Sequence, residues 1–247
     1  MRKWTFACCL LVALALPAGA QNVAQVYIAK PKPGHEQAYE EGRKKHAEWH
    51  KKQNDTWTWR VFEVIMGENT GSYIISSPGH EWKDFDGREA FEQADSADAA
   101  ANLAPHQDSA YPSLWVMRGD MSVPAATAEP AAFSQVTHFY VKPEGVTEFA
   151  ENVKKISEAI KKSNWGTGLM WYQLVSGGEG PRFVLSVGRK DWASFAPPEK
   201  SLSDMLASVY GAEQGTAVVQ DLRKHIRYTR TYVSRYRADL SYVPAGK

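Results

Sequence analysis

Two helix-like stretches, Pro33–Asn54 and Glu144–Asn164, share a polar pattern but differ on the face they would bury. At an offset of 110 residues they match at Lys44/Lys154, Lys45/Lys155, Glu48/Glu158, Lys51/Lys161, Lys52/Lys162 and Asn54/Asn164. The second stretch carries Phe149, Val153, Ile156 and Ile160 at i, i+4, i+7 and i+11, the spacing of one apolar helix face. The first carries Tyr39, Arg43, His46 and His50 in those places. The glycine pair Gly34/Gly145 would favour an offset of 111 and put Ala38, Gly42, Lys45 and Trp49 on that face instead. The six identities favour 110.

Around these helices the patterning predicts strands. Val23–Ala29 is a short β-rich run closed by the turn Lys30-Pro31-Lys32-Pro33-Gly34. Trp57–Met66 and Ser72–Ser77 read as strands about a hairpin turn at Gly67-Glu68-Asn69-Thr70-Gly71. An Ala-rich helical stretch, 87–104, and a strand at Leu114–Met121 follow. The Pro/Ala-rich run from Ser122 to Ala132 lacks periodicity and reads as a linker. The pattern then restarts: strand Val136–Val141, turn Lys142-Pro143-Glu144-Gly145, helix Thr147–Lys162, strands Gly168–Val175 and Arg182–Val187, and one long helix at Pro198–Leu222. Trp82 and Phe85 recur as Trp192 and Phe195, and at an offset of 119 His106, Arg118 and Asp120 recur as His225, Arg237 and Asp239. Echoes in the same order in both halves predict an internal duplication of a β-α-β-β-α-β unit.

Each unit leaves one sheet face needing cover, and two units in one chain can cover each other. The expected fold class is α+β: tandem ferredoxin-like βαββαβ units, residues 21–122 and 133–247, packed sheet-to-sheet as an intrachain pseudo-dimeric α/β barrel, with a linker at 123–132. In element order, duplication and the strand-Lys-Pro-x-Gly-helix opening, the chain resembles the dimeric α/β-barrel superfamily, which includes antibiotic-biosynthesis-monooxygenase-like and NIPSNAP-like domains. The resemblance implies the fold. It leaves activity open, since members include cofactor-free oxygenases, haem-degrading enzymes and proteins with no known chemistry.

Residues 1–20 form a separate expectation. Arg2 and Lys3, the apolar run Trp4–Leu16 and Ala18-Gly19-Ala20 make a signal peptide cleaved before Gln21, which implies export to the periplasm or beyond. Both cysteines, Cys8 and Cys9, lie within it, so thiol chemistry and disulfides are excluded from the remainder. Loss of Arg2 and Lys3 turns 29 basic against 28 acidic residues into an acidic excess of one. No basic stripe points to nucleic acid, and no further apolar run points to a membrane span.

His46 and His50 at i and i+4 could bind one metal ion from a helix face. The run is His-Ala-Glu-Trp-His, however, and no third ligand is placed; His80 and His106 are available in principle. The other readings are solvated histidines on a lysine-rich helix, or a polar ligand pocket formed with Tyr39 and Arg43. The pocket is preferred because four polar groups replace an apolar stripe, and burying unpaired polar groups costs about 1–3 kcal/mol each. His106 and His225, and the two Arg/Asp pairs, read as structural recurrences; Trp82 and Trp192 read as plugs packed over the sheet. No phosphate-cradling loop or nucleophile elbow appears, and no cofactor is named. The expectation is a small-molecule binding protein whose fold requires no oligomer. A monooxygenase-like or haem-handling enzyme and a purely structural or interaction module are the alternatives.

Overall fold

The computed structural model describes residues 22–125 and 129–246; the signal-peptide reading of residues 1–20 lies outside them. The first half runs β1 (Val23–Pro31), α1 (Glu36–Lys52), β2 (Arg60–Gly67), β3 (Tyr73–His80), α2 (Glu89–Asn102) and β4 (Gln107–Met117). The second runs β5 (Phe133–Val141), α3 (Val146–Ser163), β6 (Leu169–Ser176), β7 (Arg182–Arg189), α4 (Leu202–Tyr210), α5 (Ala212–Lys224) and β8 (Ile226–Tyr236). Where one long helix was expected at Pro198–Leu222, Gly211 at φ +86° breaks it into α4 and α5.

All strand pairs are antiparallel and close into one barrel, β1-β3-β2-β8-β5-β7-β6-β4. The sheets therefore do not stack as two separate layers. They are hydrogen-bonded edge to edge at β2–β8 and β4–β6, and their inner faces surround a shared interior. Ala24, Trp115, Val136 and Val184 fill it together with Tyr172 and Tyr232. β4 begins at Gln107, well before the expected Leu114. Its first part pairs only with β1, while β6 joins from Leu114 onward. Pro112 sits in that one-sided stretch, where a missing N–H is tolerated.

The helices cover the outer face. α1 and α3 end alike, at Asn54 (φ +53°) and Asn164 (φ +50°), which agrees with the 110 offset. Under α3 lie Phe149, Val153, Trp171 and Phe183. Under α1 lie Tyr39, Trp59, Val61, Tyr73 and Ile75. The tails after β4 and β8 cross over. Met121, following β4, is fully buried in the core under α3, and Leu240, following β8, is fully buried in the core under α1. Ser122 and Val123 begin the expected linker, yet they are buried, and Val123 bridges Leu169 just as Tyr242 bridges Trp59.

Candidate functional site

Tyr39, Arg43, His46 and His50 line one cavity of about 290 Å³ between α1, α2 and the outer face of β1 and β3. Tyr27, Trp59 and Ile75 form its floor, and Asp95, Ala99 and Leu103 of α2 form its far wall. All four α1 side chains are buried, so the reading of these histidines as solvated is overturned.

The histidines are held by carboxylates. His46 Nδ1 lies 2.7 Å from Asp98 Oδ2 on α2, and His50 Nδ1 lies 2.9 Å from Asp55 Oδ2 in the loop after α1. Asp95 and Asp98 are at i and i+3, and Asn102 Nδ2 donates to Asp98 Oδ1 at 3.1 Å, so one face of α2 meets the polar face of α1. Both Nε2 atoms turn toward Asp95 Oδ1, at 3.1 Å from His46 and 3.5 Å from His50. Asp95 Oδ1 is buried yet is not aligned for a hydrogen bond with either.

Asp55 anchors the site. It accepts from the backbone N–H of Trp57 (3.0 Å), Trp59 Nε1 (2.8 Å) and Arg88 Nη1 (3.0 Å). Burial by itself would raise the Asp55 carboxyl, but donation from His50, Arg88, Trp57 and Trp59 outweighs it and holds the group well below the usual range. Burial lowers the His50 imidazole, with Asp55 opposing. Burial also raises the Tyr39 phenol, opposed by Arg43, and lowers the Arg43 guanidinium, opposed by Tyr39 and by the Asp95 carboxylate across the cavity. Tyr27, with Gln25 Nε2 donating to its hydroxyl, is pushed up to about 12 by burial and by Asp95 and Glu92.

Tyr39 Oη and Arg43 Nε are buried without a hydrogen-bond partner, and no carboxylate among the described residues forms an ion pair with Arg43. The far half of the chain closes the site. Tyr242 stacks on His50 at 5.7 Å between centroids and donates its hydroxyl to the Asp55 carbonyl at 2.7 Å. Arg237 Nη1 donates to Glu40 Oε1 at 2.5 Å.

The remaining expected positions lie elsewhere. His106 sits beside His35, Nδ1 to Nδ1 3.2 Å, and is far from a third-ligand role; its carbonyl accepts from Lys32 N–H (2.9 Å) as that of His225 accepts from Lys142 N–H (2.8 Å). His80 stacks on Trp57 and pairs with Ser77 Oγ at 2.8 Å. Trp82 and Trp192 are 40% and 50% exposed on short 3₁₀ turns, not buried plugs; Phe85 makes the inward contact with Trp57. Arg118–Asp120 and Arg237–Asp239 are strand-end ion pairs at 2.8 Å. Asp55, Asp95, Asp98, Arg88 and Tyr242 complete the site and were not singled out by sequence.

No helix among the described residues is long and apolar enough to cross a membrane. Neither a protein-family model nor a curated protein sequence matches the chain. Solved structures do. A candidate monooxygenase from Lactobacillus acidophilus NCFM aligns with a TM-score of 0.57 at 8% identity, over 91% of this chain and 97% of that one. An anthrone oxidase-like protein aligns with a TM-score of 0.54 at 13% identity, over 93% and 98%. A candidate chlorite dismutase aligns with a TM-score of 0.52 at 12% identity, over 89% and 96%. At such identities the likeness carries the fold, a closed eight-stranded antiparallel barrel with helices on its outer face, and nothing of the chemistry.

Proposed function

We propose that this chain is an exported, internally duplicated protein that binds a small, acidic, ring-bearing molecule in the cavity under α1 and α2. The observation that carries this is Arg43. A guanidinium 5% exposed, with no ion-pair partner among the described residues and an unpartnered Tyr39 hydroxyl beside it, calls for an anionic oxygen in the cavity. Tyr27, Tyr39 and Trp59 supply flat apolar surface for a ring. The second half lacks this chemistry, with Phe149 and Val153 packed in an apolar core at the matching places.

A cavity of about 290 Å³ lies at the lower end of the roughly 300–1,000 Å³ of ligand pockets, so it suits one to three fused rings and not a porphyrin. The imidazoles argue the same way. Both Nε2 atoms converge on Asp95, and neither presents a lone axial position to a haem iron. The residues lining this cavity do not fit haem. The monooxygenase-like alternative asks only for a bound oxidisable ring and shares the same cavity.

Calorimetric titration of the full chain with salicylate, 4-hydroxybenzoate and anthrone tests the reading. One-to-one binding by at least one of them, weakened tenfold or more by Arg43→Leu, is expected. No binding at millimolar concentration, or binding indifferent to Arg43→Leu, would overturn it. Oxygen uptake in the anthrone sample separates an oxidising enzyme from a binding protein.

A further inference from the structure

The histidine pair raises a question that an organic ligand does not answer. Asp98 and Asp55 each occupy an imidazole Nδ1, and a carboxylate there accepts a hydrogen bond from the Nδ1–H. The other ring nitrogen of each, Nε2, is turned toward the same carboxylate oxygen, Asp95 Oδ1, at 3.1 Å from His46 and 3.5 Å from His50. Two imidazole nitrogens and one carboxylate oxygen thus converge on one point.

The geometry suits a cation. One ligand atom from each of His46, His50 and Asp95 lies within 4.8 Å of the other two, and the Nε2 atoms are 3.1 and 3.5 Å from Asp95 Oδ1. Bonds of about 2.0–2.2 Å at tetrahedral or octahedral angles hold donor atoms roughly 3 Å apart, so a modest shift of the Asp95 side chain closes the set. Metal-binding imidazoles characteristically donate their other N–H to a carboxylate, and here both do. Asp95 Oδ1, buried and without a hydrogen bond, points the same way. The second half supplies an internal contrast. At offsets of 110 and 119, His46, His50, Asp55, Asp95 and Asp98 correspond to Ile156, Ile160, Trp165, Gln214 and Ala217. Ligands and supporting carboxylates are all absent together there, as expected of parts that act as one set.

We propose that His46 Nε2, His50 Nε2 and Asp95 Oδ1 hold a first-row divalent transition-metal ion at the wall of the cavity. Two imidazoles and one carboxylate favour such ions over calcium or magnesium. Three protein donors leave coordination positions open toward the cavity. The ion thereby deepens the reading of the pocket, on which the choice of ligand rests: the acidic oxygen of the bound molecule would be shared between the metal and Arg43.

The test strips the full-length protein with EDTA and titrates it with Co(II), following the visible d–d absorption. One ion per chain at micromolar affinity or tighter is expected. Asp95→Asn, which keeps the side-chain shape, should weaken binding at least 100-fold with an unchanged melting temperature for the metal-free protein. Asp98→Asn should weaken it by about 10–100-fold. His106→Gln, which removes the exposed His35–His106 pair, should leave it unaltered. The proposal is overturned by a wild-type protein that takes up no Co(II), by Asp95→Asn binding as tightly as wild type, or by loss of binding in His106→Gln alone. Salicylate titration in EDTA distinguishes the two readings. Salicylate binding without Co(II) binding sinks the metal and spares the pocket; Co(II) binding without any organic ligand does the reverse.

Discussion

Asp55 and Arg88 form a buried ion pair, Oδ1 to Nη1 3.0 Å, that joins the loop after α1 to the residue preceding α2. The Asp55 side chain is wholly inaccessible, and Arg88 is sandwiched between Trp57 at 3.9 Å and Phe91 at 4.3 Å. Removing one member leaves the other charge buried without its counter-ion. Asp55→Asn should therefore cost about 3–5 kcal/mol. It also weakens the grip on His50 and on the Trp59 indole. Thermal denaturation measures this; a melting temperature within a degree of wild type would show that the pair is dispensable.

Gly42 tests how closely α1 and α2 must approach. Replacing glycine by alanine within a helix ordinarily stabilises by about 1 kcal/mol. Here a Cβ would run into the main-chain carbonyl oxygen of Asn102, and that backbone cannot yield cheaply. Gly42→Ala should instead destabilise by about 1–3 kcal/mol and shift the face of α2 that carries Asp95 and Asp98. Urea unfolding gives the sign directly.

Exchange of the two helix faces has an outcome set by α2. Putting Phe, Val, Ile and Ile at Tyr39, Arg43, His46 and His50 copies the buried face of α3. It also strips Asp55 and Asp98 of their imidazoles, at about 1–3 kcal/mol for each carboxylate. The fourfold variant should be less stable than wild type, and adding Asp95→Gln with Asp98→Ala should recover part of the loss. In the other direction Ile160→His should cost several kcal/mol, and Ile156→His less, because Ile160 is fully buried and Ile156 only partly. Melting temperatures of the wild type and the four variants order these effects.

His138 faces the interior of the barrel, where burial and the charges of Arg182 and Arg230 lower its imidazole from 6.5 to about 4. Its neighbours there are Tyr232 Oη at 3.5 Å and the Trp115 ring. The unfolded chain takes up a proton below 6.5 that the folded chain refuses until about 4, so stability falls as pH drops through that window and levels off beneath it. The loss attributable to this residue is on the order of 3 kcal/mol. Unfolding free energies of wild type and His138→Phe between pH 4 and 8 check it: the wild-type slope should shrink in the variant.

The sequence made the strands, α1, α3 and the four polar positions of α1 readable, because an internal comparison marked Tyr39, Arg43, His46 and His50 against an apolar twin. It hid their partners for a physical reason. Asp95 and Asp98 sit in an Ala-rich helix that also carries Glu89 and Glu92, and acids at that density read as a solvated face. Only the packing of α1 against α2 distinguishes them. Asp55 lies in a loop, where period carries no information. The early start of β4 was obscured by the polar residues and Pro112 of a stretch paired on one side only. The recurrence of Trp82 and Phe85 as Trp192 and Phe195 reads as a pair of plugs over the sheet, but recurrence does not fix which ring of a 3₁₀ turn faces inward.

The crossed tails invert the usual relation between where a chain is trimmed and where the damage falls. Leu240 completes the core beneath α1, Tyr242 covers His50, and Arg237 grips Glu40. Deleting residues 237–247 takes nothing from the core of α3, yet it strips Leu240 from the core beneath α1 and Tyr242 from His50, roughly two hundred residues upstream. Proteolysis near the C-terminus would thus act on the N-terminal pocket as a distant key, while a fragment ending at Ser122 would keep every side chain of α1 and α2 and still lack the lid that seats them.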